Sequence, residues 1–208
     1  LGRQVLSYDH DRILAKRNCN QHGIAYVAAL FSYKTSTYKV DAGFSYNNQT
    51  NATTAQFFTT DKMKSLNFIH YKNTEKENLE TSAVLIQSAY QDETDIKKLH
   101  WLHTFGYYRK YTYDKFKTYG NFYTQIGKNK YGYGVLSFML ALRTNYRIVK
   151  QLNVGAGFDY ISGQNTTKSS FIFQGRNNAF NVLYGKRHGF YGYMDYFSAH
   201  VSNTLGKG

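Results

Sequence analysis

The stretch Leu136 to Ile148 separates into two unlike sets when read at a period of two. Leu136, Phe138, Leu140, Leu142, Thr144, Tyr146 and Ile148 form one set; Ser137, Met139, Ala141, Arg143, Asn145 and Arg147 form the other. Successive side chains of a strand point to opposite faces. The stretch is therefore a strand with an apolar face ending in tyrosine and a polar face carrying two arginines. The next stretch repeats the scheme, with Leu152, Val154, Ala156, Phe158 and Tyr160 against Asn153, Gly155, Gly157 and Asp159. The preceding one sets Phe116, Thr118, Gly120, Phe122 and Ile126 against Lys117, Tyr119, Asn121, Tyr123 and Gln125. Tyr38 to Tyr46 alternates in the same way, with Lys39, Asp41, Gly43 and Ser45 on its polar side.

Further strands are expected over Leu1–Tyr8, Ile24–Tyr33, Met63–Lys72, Leu79–Tyr90, Leu99–Tyr111 and Gly189–Phe197. Leu79–Tyr90 and Leu99–Tyr111 alternate poorly, and their faces stay unassigned. Short turns at Lys34–Thr37, Asn73–Glu77, Thr112–Asp114 and Val149–Gln151 alternate with longer polar loops. The longer connections include Asn47–Asp61, Gln91–Lys98, Lys128–Gly134 and Gly163–His188. Short turns on one side and long loops on the other characterise a transmembrane β-barrel; a soluble sandwich has no such regular alternation. The fold expected is all-β, an antiparallel up-and-down transmembrane barrel segment of about nine or ten strands forming one domain over residues 1–208.

Composition agrees. The 208 residues include 21 Tyr, 15 Phe and 17 Gly, with a formal net charge of +13. Such a charge points to an anionic partner. The most apolar run, about Val135 to Leu142, is shorter than the roughly 20 residues that a membrane helix needs, whereas a β span needs only about 9–11. Cys19 is the one cysteine and proline is absent. A single cysteine supports neither an intrachain disulfide nor a cysteine metal site. Average usage of about 5% would give roughly ten prolines, so their absence is unusual for a chain rich in turns. The first residues do not read as a signal peptide.

Two segments resemble the alginate-export family of outer-membrane porins. VGAGFDYISGQN followed by AFNVLYGKRHGFYGYMDYF is similar to that family's Gly-rich strand, Tyr-x-Ser-Gly turn, Leu-Tyr-Gly stretch, His and aromatic Met-Asp-Tyr-Phe strand. LGRQVLSYDHDRIL resembles its Gly-Arg-Gln segment with the following Tyr-Asp and Asp-Arg, and AGFSYNNQT fits the hairpin between. The sequence departs from the family at Asn18-Cys19-Asn20, where a Trp is usual. The resemblance implies that the chain is an incomplete segment of a barrel of about 18 strands. It implies a bacterial outer-membrane channel that passes an anionic polysaccharide, oligosaccharide or similar solute. Lipid, lipopolysaccharide and other envelope proteins are the further partners expected; nucleic acid is not one.

The substrate path expected comprises Arg3, Arg12, Lys117, Arg143, Arg147, Asp159, Arg187 and Asp195. Rings of basic side chains select anions in pores, and guanidinium grips a carboxylate bidentately. Inward Asp41, Asp159 and Asp195 are expected to hold those guanidiniums. No catalytic residue, metal site or cofactor is expected. Asp9 and Asp11 are read as solvated loop carboxylates, because nothing nearby in the sequence buries them as glycosidase chemistry requires. His100 and His103 fall on opposite faces of a strand and do not converge on a metal. Gly155 and Gly157 are expected to admit a bulky neighbour across the lumen. The Asn-x-Thr triplets at Asn48, Asn51 and Asn165 are read as polar loop. Two other functions fit the same composition: a structural barrel without transport, and a surface β-protein binding anionic polymer on tyrosine platforms.

Overall fold

The computed structural model describes residues 1–14, 26–47, 63–92, 94–95, 97–163 and 180. Among the described residues nine strands form one antiparallel sheet in which every strand pairs with its neighbours in sequence. They are β1 (Gly2–Gln4), β2 (Tyr26–Lys34), β3 (Tyr38–Tyr46), β4 (Met63–Lys76), β5 (Leu79–Gln91), β6 (Leu99–Tyr113), β7 (Phe116–Lys128), β8 (Gly134–Val149) and β9 (Leu152–Ile161). Among the described residues, β1 and β9 are the edges. The expected strands are present with ends shifted by a few residues. The exception is the first, which pairs only over Gly2–Gln4 instead of Leu1–Tyr8. The expected strand Gly189–Phe197 lies outside the described residues, with Arg187 and Asp195.

The register sorts the residues onto two faces of different character. Phe31, Ala42, Ile69, Leu85, Phe105, Thr124 and Phe138 stand opposite one another along one row of the outer face. Phe31, Phe44, Ile69, Phe105, Phe122, Leu140, Leu142 and Phe158 are exposed there. No second sheet covers this face among the described residues.

The opposite, inner face carries the core. Leu66 and Phe68 of β4, Val84 and Ile86 of β5, Tyr123 of β7 and Met139 of β8 pack with Leu6, Ile13, Leu14 and Phe180. Leu6, Ile13 and Leu14 come from the segment after β1 and are only 2–3% exposed. A flat sheet shields one side of a chain lying on it, so this burial requires the sheet to curl around the segment. Burying each such side chain favours the packed state by roughly 1.5–3 kcal/mol.

Residues Asp9–Asp11 make one 3-10 turn within this segment. Asp9 and Asp11 both have positive φ, 49° and 59°. Aspartate tolerates that conformation better than most residues because its short side chain bonds locally; Ser7 Oγ donates to Asp11 Oδ1 at 2.6 Å. Gly43 shows the packing density. Its partner across the ladder is Phe68, whose ring occupies the space that a β-carbon at 43 would need.

The inner apolar packing explains why β5 and β6 alternate poorly in sequence. Val84 and Ile86 pack with the buried segment and Leu102 is buried on the same inner face, while Leu85, Phe105 and Tyr107 face outward. With apolar residues on both faces, period-two contrast vanishes.

Candidate functional site

Toward the short-turn ends of the strands, the inner face changes from apolar to charged. Lys34, Lys39 and Lys72 share one register row. Lys110, Tyr119, Arg143 and Gly157 share another. Lys117 stands opposite Asn145, and Arg147 opposite Asn153, nearer the turns. Carboxylates are interspersed: Glu80 lies 3.0 Å from Lys72 and 3.8 Å from Lys110, and Asp41 lies 2.7 Å from Lys39.

The centre of this surface is Asp159 on β9. Its Oδ1 accepts from Arg12 Nη2 at 3.0 Å and its Oδ2 from Arg143 Nη2 at 3.1 Å. A second Arg12 nitrogen, Nη1, donates to Oδ2 at 3.3 Å. The Arg12 and Asp159 side chains are 7% and 5% exposed, whereas Arg143 is 32% exposed. One carboxylate thus orients two guanidiniums and leaves net positive charge, with Arg143 retaining a solvent-facing side. Beside it lies a cavity of about 290 Å3 lined by Tyr119, Arg143, Asn145, Gly155, Ala156, Gly157 and Asp159. The glycines make room for neighbours: Asn145 reaches over Gly155, and the aliphatic stem of Arg143 over Gly157. These neighbours come from adjacent β8, so the expectation of a residue reaching across the lumen is corrected. A planar donor group, an amide and an aromatic hydroxyl around a shallow trough suit a carboxylated or sulfated hydroxyl-rich solute.

The segment after β1 is fastened at its other end by Asp9. His70 Nε2 lies 3.1 Å from Asp9 Oδ1, and Ser82 Oγ donates to the same oxygen at 2.5 Å. Asp9 is buried with His70, their side chains 6% and 4% exposed. This corrects the expectation of a solvated loop. The reason is non-local: the partners are 61 and 73 residues away in sequence. Although serine, histidine and aspartate meet here, the carboxylate sits between the other two. A nucleophile–base relay needs the hydroxyl on the imidazole, so the arrangement is a clasp. Tyr8 packs on His70 with ring centroids 4.5 Å apart and the ring planes tilted by 37°. Burial, then the neighbouring Asp41 carboxylate, pushes the Tyr8 phenol well above its usual range. A second cavity, about 410 Å3, lies beside this clasp and is bordered by Asp11, Lys39, Lys72 and Glu80 among others.

The expected path residues divide accordingly. Arg143, Arg147, Lys117 and Asp159 lie on the inner face, and Arg12 joins them from the buried segment. Arg3 does not. It pairs with Val27, whose row faces outward beside Phe31 and Tyr33, so Arg3 belongs to the opposite side of the sheet. Asp159 holds guanidiniums as expected; Asp41 instead accepts from Lys39 and from Ser32 Oγ, at 2.7 and 2.5 Å. Lys72, Glu80 and Lys110 complete the charged surface and were not expected. Lys110 and Glu80 lie on the strands whose faces the sequence left unassigned. Lys72 was legible as the alternate partner of His70 and Phe68 only once the β4 register was known. His100 and His103 alternate, with His100 buried on the inner side and 2.8 Å from Asp92. Among the described residues no three potential ligands converge on a metal position.

Compared with known protein families and with curated proteins, the chain matches none.

Proposed function

We propose that the nine strands are part of the wall of a bacterial outer-membrane barrel, a channel that passes an anionic polysaccharide or similar anionic solute by passive diffusion. The observation that carries this reading is the opposed polarity of the two faces. Among the described residues the outer face is mostly apolar and uncovered, as a lipid-facing wall requires, and its tyrosines suit a membrane boundary. The inner face is basic toward the short turns, as an anion path requires. The resemblance to the alginate-export family supplies the substrate class. In this reading Arg143, Arg147 and Lys117 face the path, and Asp159 orients Arg143 toward it.

The test is conductance of the complete barrel that contains these strands, reconstituted in planar bilayers under a salt gradient. Anion-selective conductance, blocked by anionic oligosaccharide and not by a neutral one of equal length, is the expected result. Cation selectivity, or equal block by both sugars, would sink the proposal.

One observation favours a second reading, a structural barrel without transport. Leu6, Ile13 and Leu14 fill the inner face toward the long-loop ends. Stable insertion without conductance would select that reading.

A further inference from the structure

Two carboxylates on the inner face are each shared by two cations. Glu80 lies 3.0 Å from Lys72 and 3.8 Å from Lys110. Asp159 lies 3.0 Å from Arg12 and 3.1 Å from Arg143. Each cluster therefore keeps a net positive charge. Each also borders a cavity: Lys72 and Glu80 line the larger one, Arg143 and Asp159 the smaller.

One register row joins the two clusters. Glu80, Lys110, Tyr119, Arg143 and Gly157 stand opposite one another along it, from β5 to β9. In the adjacent inner row toward the long loops, Ser82, Tyr108, Asn121 and Ala141 are buried. The segment after β1 reaches both ends of that buried row. Asp9 accepts from Ser82 at one end, and Arg12 donates to Asp159 at the other. Toward the turns, Lys117 and Asn145 are exposed. Lys110, Tyr119 and Arg143 lie between these limits and are half-buried. They form a ledge whose floor is the sheet and whose back is the clasped segment.

Lys110 and Arg143 are two strands apart, roughly 9–10 Å at the spacing of paired strands. One carboxylate does not reach both. Two acidic groups separated by one sugar unit do. Lys110 makes the longer contact to Glu80, and an ammonium carries three N–H donors, so Lys110 has capacity for a second anion. Arg143 gives Nη2 to Asp159 and is 32% exposed. Tyr119, between them in register, offers a flat apolar surface to a sugar ring.

We infer that this ledge reads the spacing of charge along an acidic oligosaccharide. One anionic group is held at Lys110 and the next at Arg143, and the sugar between them lies on Tyr119. The ligand class is an oligosaccharide with anionic groups two units apart, whether or not the intervening unit is charged. The inference rests on the reading of the inner face as an anion path, and adds what that path discriminates. A ligand with a single charge engages one cation and leaves the other to its carboxylate.

The test is calorimetric titration of the complete barrel that contains these strands, in detergent micelles. The probes are tetrasaccharides with uronate at every unit, with uronate alternating with a neutral sugar, and with a single uronate. The alternating probe is expected to bind as well as the fully charged one, and the single-uronate probe about tenfold more weakly. K110Q is expected to bring the alternating probe down to the affinity of the single-uronate probe, and K110R to restore it. Equal affinity for the alternating and single-uronate probes, equal loss of both in K110Q, or no binding of any probe overturns the site. Conductance is read separately. Spacing-dependent binding without conductance removes the channel and leaves the site. Anion-selective conductance blocked equally by the alternating and single-uronate probes removes the site and leaves the channel.

Discussion

Arg12 and Asp159 are 147 residues apart in sequence and meet at 3.0 Å. The contact ties the segment after β1 to the last described strand. It also places Arg143 on the second oxygen of the same carboxylate. The two ends of this arrangement are not equivalent, and the difference is measurable.

Asp159→Asn removes the buried carboxylate that both Arg12 and Arg143 bond, while Arg12 stays charged and buried. Breaking a buried pair in this way costs about 3–5 kcal/mol. Arg12→Met removes the buried charge and leaves Asp159 paired with Arg143, so its cost is smaller, about 1–3 kcal/mol. Urea unfolding in detergent micelles checks the order; equal losses would show that Arg143 does not support Asp159.

Removing Arg143 and Arg147 together, as Gln, is expected to lower anion preference. The readout is a shift in reversal potential toward the cation side. Arg147 is exposed and its loss leaves stability unchanged, whereas loss of Arg143 withdraws one donor from Asp159 and costs about 1 kcal/mol. An unchanged reversal potential in the double variant would remove these residues from the path.

Gly43→Ala drives a methyl group into the Phe68 ring. Overpacking of this kind costs about 1–3 kcal/mol. Phe68→Leu is expected to recover part of that loss in the double variant, although it is destabilising alone. Strictly additive effects would mean that the strands separate at this point to relieve the clash.

The loop from Asp92 to Lys98 predicts an acid-resistant turn. Hydrogen bonds from the Thr94 hydroxyl and amide, the Asp95 amide and His100 hold the Asp92 carboxyl well below the usual carboxylate range. A carboxyl lowered on folding stabilises the turn fully above its unfolded value, about 3.9. That contribution is lost as pH falls through the folded value. Protection of the Thr94 and Asp95 amides from exchange is therefore expected to persist at about pH 4 and to fail only in stronger acid. In Asp92→Asn the pH dependence disappears. Loss of protection at the ordinary carboxylate midpoint would contradict the geometry.

Much of the sheet was legible because one face meets one environment. Tyr38 to Tyr46, Phe116 to Ile126 and Leu136 to Ile148 alternate cleanly, and their inner and outer residues lie as the alternation requires. On β5 and β6 the signal failed for a physical reason. Val84 and Ile86 pack against the segment after β1 and Leu102 is buried on the same face, so both faces became apolar. The same segment hid Asp9. Its histidine and serine partners lie on strands far along the sequence, and local polarity around Asp9 gave no sign of burial. Arg3 was misplaced because it was put on the path by the resemblance of its Gly-Arg-Gln segment, and a short edge strand carries too few residues for alternation to choose a face. On β8 and β9, where one side is charged and the other apolar, Arg143 and Asp159 could be placed from spacing alone.

Because each strand pairs with its neighbour in the chain, the sheet can assemble hairpin by hairpin with short loop closures. The segment holding Leu6 and Arg12 obeys a different schedule. It precedes β2 to β9 in the chain, yet the wall around it is incomplete until β9 has formed. Long loop closures are paid before their contacts are gained. The enclosure of this segment is therefore the late, non-local step of folding, and Asp159 is its latch. A chain stalled before β9 has β4 and β5 to hold Asp9 but lacks Asp159, so the Arg12 end of the segment stays unlatched.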